Sequence, residues 1–266
     1  MSEYGAAMGE TDEILLDRAD GVVTITLNRP ERKNAITGEM WARLRETFSE
    51  VAERPEDRVL VITGAGGAFC SGADLSAIGD ISAGGLNRMR TVGAAAQALH
   101  DLPKPTIAKV SGVAAGAGAN LALGCDLIVA SDEARFSEIF SARGLSLDFG
   151  GSWLLPRLVG LHRAKELAFF ADILSAKEAQ DFGLVNRVVP SADLDGFVDE
   201  WARRLAAGPP IALSMTKRML NNSFTSTLAE SLEAEAVSQV VNFKTEDMGE
   251  AMRAFSEKRP PNFKGR

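Results

Sequence analysis

"KVSGVAAGAGANLALGCDLIVAS", residues 109–131, decides the fold. It begins at the end of an apolar strand, "TIAKVSG" (106–112), and passes through a small-residue turn, "VAAGAGA" (113–119). A helix is predicted from about 116, and the chain returns to a strand in "DLIVAS" (126–131). Strand, glycine-rich turn, helix and strand again is the pattern of an α/β protein. A turn of Gly and Ala that opens a helix also presents backbone N–H groups that the first helical turn leaves unpaired, and no side chain screens them.

Moving outward, the same pattern recurs. "ILLDRADGVVTITLNRPE" (14–31) reads as two strands around an Ala-Asp-Gly turn. In "ITGEMWARLRETFSEVAE" (36–53), Met40, Leu44, Phe48 and Val51 fall at helical spacing behind Thr37, a capping residue, and Pro55 stops the helix. The strand "RVLVITG" (58–64) leads into a second glycine-rich turn, "AGGAFCSGADL" (65–75), and a helix over 86–101. From 152 onward the chain reads helical apart from "LVNRVVP" (184–190), and Phe243, Met248, Met252 and Phe255 form a late apolar stripe. Three segments follow: a loose tail over 1–11, an α/β core over 12–195, and a C-terminal helical segment over 196–266.

Composition excludes several function classes. With 45% hydrophobic residues, 266 residues bury a sizeable core without staples. Cys70 and Cys125 lie far apart with no metal-ligand spacing, which fits a reducing cytosol and gives no zinc site. The net charge is −7 with no basic block, which argues against nucleic-acid binding. No apolar run is long enough for a signal peptide or a membrane span, so a cytoplasmic location is expected. G-x-G-x-x-G fails because Phe69 occupies the third glycine position, no GKS or GKT follows a glycine loop, and "DFG" (148–150) lacks any accompanying kinase motif.

Two turns and one carboxylate remain as candidate chemistry. "SGADL" (Ser71, Gly72, Ala73, Asp74, Leu75) and "GAGAN" (Gly116 to Asn120) each offer an N–H to one carbonyl oxygen, the arrangement that stabilises an enolate-like anion. Bare strand-to-helix turns explain them as well. Asp148 stands between Leu147 and Phe149, where an ionised carboxylate is costly. Spacing alone reads it as an N-cap of the helix beginning near Gly150.

In order, "LNRPERKNAI" (27–36), "GAFCSGADL" (67–75), the 109–131 stretch, "GGSWLLPRLVG" (150–160), "SAKEAQDFGLVNRVV" (175–189) and "AFSEKRPPNF" (254–263) resemble the enoyl-CoA hydratase/isomerase (crotonase) superfamily. The resemblance implies a crotonase (ClpP-like) spiral of repeated ββα units with a C-terminal helical trimerisation segment, assembled as a homotrimer or hexamer. It implies an acyl-CoA thioester substrate, with coenzyme A entering as part of that substrate and neither a separate cofactor nor a metal. By position, the N–H groups of Ala73 and Ala117 are the oxyanion donors. The loop after the first hairpin (Arg29, Arg32, Lys33, Ala35) and the C-terminal helix (Phe255, Lys258) are implied to embrace the CoA nucleotide, and solvated surface charge explains each of these cations equally well.

The departures from the family pattern are informative. Hydratases of the family use two glutamates, and their positions here hold Asn120 and Phe140. Glu138 is two residues away, about 7 Å along an extended chain. Asp148 matches the catalytic aspartate of the family's isomerases, including the ring-epoxide isomerase of phenylacetyl-CoA breakdown. One carboxylate suffices to take a proton from one carbon and return it to another. Asn120, an amide, orients substrate or water or simply satisfies a neighbouring backbone group, and is no base. His100 and His162 match no catalytic position. The segment 80–93 is expected over the acyl pocket. Isomerase, hydratase and a non-catalytic CoA-ester binder all stay open, with the first favoured.

Overall fold

The computed structural model describes residues 12–77 and 85–266; the tail expected over 1–11 lies outside them. β1 (Ile14–Ala19) and β2 (Val22–Leu27) form the antiparallel hairpin, with Asp20 and Gly21 both at positive φ in the turn. α1 (Gly38–Glu53) starts where Thr37 accepts the Met40 amide, and it buries Met40, Trp41, Leu44, Phe48 and Val51 on one face.

After β3 (Val59–Gly64) and α2 (Gly85–Asp101), a repeating step appears. β4 (Thr106–Val110) enters the large sheet, β5 (Val113–Ala115) a small one, and α3 (Ala117–Leu123) covers the step. β6 (Leu127–Ser131) and β7 (Arg135–Ser137) repeat it ahead of α4 (Gly151–Val159) and α5 (Leu161–Phe170). β8 (Leu174–Ser175), α6 (Ala176–Asp181) and β9 (Arg187–Val189) complete the sheets. The large sheet has the order β1-β2-β3-β4-β6-β9, parallel from β2 onward, and the small sheet β5-β7-β8. This is the expected spiral. Two strands were not foreseen: β5 lies inside the stretch expected as a turn, and β8 is only two residues long, too short for any periodic signal.

α7 (Leu194–Ala206) is an amphipathic helix whose Leu194, Val198 and Ala202 pack with Val59, Val61, Ile107 and Val129 on one face of the large sheet. It therefore packs with the core, and the chain beyond it is purely helical. That segment comprises α8 (Pro210–Asn222), α9 (Leu228–Asn242) and α10 (Glu246–Glu257). The stripe foreseen there is open to solvent on a single chain, with Phe243 66% and Phe255 84% exposed.

Candidate active site

The loop after β2 and the "SGADL" turn are fastened together before either reaches the site. Ile36 N–H donates to Gly72 O and Asp74 N–H to Ile36 O, a parallel bridge that leaves the Ala73 amide between them pointing elsewhere. Ser71 N–H donates to Lys33 O, and buried Asn34 binds Ala65 O and Ala68 O. Behind the turn, Cys70 bridges Ala114 of β5, so the two glycine turns lie side by side. A Cβ on Gly72, whose φ is +108°, would stand 3.0 Å from Ala115 O and 3.7 Å from Ala117 N. Gly116 (φ +53°, ψ −128°) takes a conformation only glycine adopts cheaply, and its own N–H is used by Ser137 O. Ala117, the first residue of α3, has the unpaired N–H that a helix start must have.

An open cleft of about 1490 Å³ runs past the "SGADL" turn and is lined by Arg29, Ala73, Asp74, Leu75, Phe140 and Asp148 of the predicted set, whereas Gly116, Ala117 and Asn120 are not among its lining residues. Met40, Trp41, Met89 and Val92 add apolar wall. Of these, Met89 and Val92 come from the 80–93 segment, whose first residues lie outside the described ones. Trp41 stacks on Phe149 with ring centroids 4.9 Å apart. Sequence reading did not single out Trp41; a large aromatic beside Met40 in α1 was the only signal, and it does not distinguish core from cleft.

Asp148 is not a helix cap. α4 begins behind Gly150 with no side-chain cap bond. Instead the Asp148 backbone carbonyl accepts from Gly151 N–H and from Asn120 Nδ2 at 3.0 Å, while its Oδ1 is buried without a partner. Burial pushes its carboxyl up to about 6. The next residue, Phe149, is held at φ +46°, an unfavourable region for an aromatic side chain, which the Trp41 stack and burial impose. Gly151 is required by close packing: a Cβ there would overlap the Asn120 amide.

Glu138 corrects the expectation drawn from strand spacing. β7 ends at Ser137, and the chain turns at once, with Phe140 N–H bonded to Glu138 O at 2.7 Å. The 7 Å offset of an extended chain therefore does not apply. Phe140 enters the cleft wall, and Glu138, 5% exposed, comes under α3, with Oε2 3.4 Å from Asn120 Nδ2. Desolvation first, and then the neighbouring Asp148 charge, push Glu138 up to about 8 against the opposing Asn120 hydrogen bond.

The expected CoA-binding cations are placed less favourably. The Arg29 guanidinium is occupied: Nη1 donates to Ala35 O at 2.6 Å and to Asp74 at 2.9 Å, and Nε pairs with Glu13 at 3.0 Å. Its role is to brace the "SGADL" turn. Hydrogen bonds from Ser76 and then the Arg29 contact hold Asp74 down at about 2. Arg32 and Lys33 are exposed on that loop, with Lys33 at φ +50°. Phe255 and Lys258, the latter capping α10 at φ +54°, do not line the cleft of a single chain.

Residues 17–266 match the Enoyl-CoA hydratase/isomerase family. The chain is 40% identical over 260 residues to the 1,2-epoxyphenylacetyl-CoA isomerase of Escherichia coli, covering 96% of this chain and 99% of that protein. It is 33% identical over 252 residues to the short-chain-enoyl-CoA hydratase of Clostridium acetobutylicum, covering 94% and 97%. The crystal structure of the enoyl-CoA hydratase from Bacillus anthracis superposes with a TM-score of 0.92 at 33% identity, covering 96% of this chain and all of that one. Fold and site thus define an acyl-CoA enzyme built on the crotonase spiral. The chain belongs to the enoyl-CoA hydratase/isomerase family.

Proposed function

We propose that this enzyme is an acyl-CoA isomerase that shifts a double bond with Asp148 as its proton-carrying base. The carboxylate takes a proton from one carbon of the bound thioester and returns it to another, while the Ala73 and Ala117 amides hold the intervening enolate oxygen. The observation that carries this reading is the Asp148 carboxyl itself: it lines the cleft, its Oδ1 has no partner among the described residues, and it caps no helix. An aspartate kept partly desolvated and unpaired is tuned toward a base that works near neutral pH. The apolar wall of Met40, Trp41, Phe140 and Met89 suits an unsaturated or aryl acyl group. Coenzyme A comes in as part of the substrate, and Arg32 and Lys33 stay candidates for its phosphates. The exposed stripe on the C-terminal helices supports a working homotrimer or hexamer, and a cytoplasmic enzyme is expected.

A hydratase reading is second, and what favours it is the approach of Glu138 to Asn120, which brings a second carboxyl close to the site. A panel of 2-enoyl-, 3-enoyl- and aryl-CoA esters run in deuterium oxide separates the two. Double-bond movement with deuterium entering carbon, and no hydroxyacyl product, is the isomerase outcome. Stoichiometric 3-hydroxyacyl-CoA from the 2-enoyl ester refutes it.

A further inference from the structure

Glu138 is a buried carboxyl that the proposed reaction does not use. Among the described residues its surroundings hold no cation: α3 presents Asn120, α5 presents Leu167, and Leu184 closes one side. The titratable groups that face it are acidic, Asp148 from the loop before α4 and Asp172 across a cavity of about 10 Å³. Its one polar contact is the 3.4 Å bond from Asn120 Nδ2. The other proton of that same amide nitrogen goes to Asp148 O. Asn120 is thus pinned between Glu138 and the loop that carries the base, while its Oδ1 is buried without a partner.

We propose that Glu138 is a positioning residue that works as an uncharged acid, orienting the Asn120 amide against the Asp148 loop and leaving one negative charge, that of Asp148, beside Asn120. This rests on the isomerase reading above. A carboxyl with no cation, little solvent and a carboxylate for a neighbour lowers its energy by keeping its proton. The consequence for catalysis is electrostatic. Ionising Glu138 sets a second negative charge behind Asn120, opposing both the Asp148 carboxylate and the enolate that the oxyanion donors must hold. Activity therefore falls as pH rises through the Glu138 titration near 8.

The test is the pH profile of kcat/KM for isomerisation of a 3-enoyl-CoA, in the wild-type enzyme, in Glu138→Gln and in Asp148→Asn. Glutamine keeps the shape and the acceptor for Asn120 but cannot ionise. The expected result is wild-type kcat at pH 7 in Glu138→Gln with the alkaline fall removed. An alkaline fall unchanged in Glu138→Gln overturns the proposal. A loss of about 100-fold or more at pH 7 does too, and makes Glu138 a proton-transfer group. Full activity in Asp148→Asn is a separate result, which removes the isomerase reading itself. If Glu138→Gln does not fold, infrared spectra of the wild-type enzyme labelled with ¹³C-glutamate decide. A protonated glutamate band at pH 7 that disappears above pH 8 supports the proposal, and its absence at pH 7 overturns it.

Discussion

Replacing Asp148 with Asn should make the protein more stable as it makes the enzyme inactive, and the stability gain should depend on pH in a defined direction. Burial raises the Asp148 carboxyl from 3.8 to about 6. Below the unfolded value both states hold the proton and the site costs nothing. As pH rises from 3.8 to 6 the unfolded chain ionises while the folded one does not, so folding becomes less favourable by about 1.4 kcal/mol per pH unit. Above 6 the full penalty, on the order of 3 kcal/mol, is in place. Asparagine cannot ionise and carries none of it. Its own amide, facing the cleft without a partner, adds a cost of about 1 to 3 kcal/mol that does not change with pH. The difference between two pH values is therefore the informative quantity. Urea unfolding of both proteins at one fixed protein concentration should show Asp148→Asn gaining about 2 kcal/mol on wild type between pH 4.5 and 7.5. Isomerase turnover should fall by about 10²- to 10⁴-fold. A gain that is the same at both pH values, or a loss that grows with pH, means that the Asp148 carboxylate is stabilised by its surroundings, and the argument for a desolvated base fails.

Three further perturbations probe the parts around it. Gly151→Ala forces a Cβ into the Asn120 amide, so it should lower stability by about 1 to 3 kcal/mol and reduce activity with it; a melting temperature equal to wild type contradicts the described packing. Asp74→Asn removes the charge that Arg29 grips beside the Ala73 amide. It should lower kcat more than it raises KM, equally at pH 5 and pH 8 because Asp74 titrates near 2, and a pure KM effect would assign the pair to substrate binding instead. Paired Met252→Asp and Phe255→Asp substitutions place charge on an exposed apolar stripe, and light scattering should show a smaller assembly than wild type; an unchanged mass means this face of α10 is not a subunit contact.

Much of this protein is written locally. The hairpin needs only β-branched alternation and an Asp-Gly turn, α1 only Thr37 and a four-residue apolar spacing, and the two glycine turns only small residues between a strand and a helix. Each depends on neighbours in the chain, and each stands where the sequence put it, except that β5 takes the first three residues of the second turn. Asp148 was also conspicuous, since a carboxylate between Leu147 and Phe149 asks for a reason. The sequence left two reasons, a cap or a base, and the free Oδ1 and uncapped α4 come from contacts among α1, α3 and the 148–151 turn.

What tertiary structure decided concerns residues whose meaning lies in partners distant in the chain. The resemblance offered Arg29 for the CoA nucleotide, with solvated surface charge as an equal reading, and the sequence could not show that Glu13 and Asp74, 16 residues before and 45 after it, pair with its guanidinium. Glu138 looked misplaced because a strand was assumed to run through it. β7 ends one residue earlier, a single turn redirects the chain, and the carboxyl arrives beneath Asn120, 18 residues away in sequence. α7 looked like the start of a separate helical segment, yet its apolar face belongs to the sheet. Periodicity and turn chemistry are short-range properties and survive in one dimension, whereas desolvation, ion pairing and coupling between carboxyls depend on three-dimensional distance and are fixed only when the spiral closes.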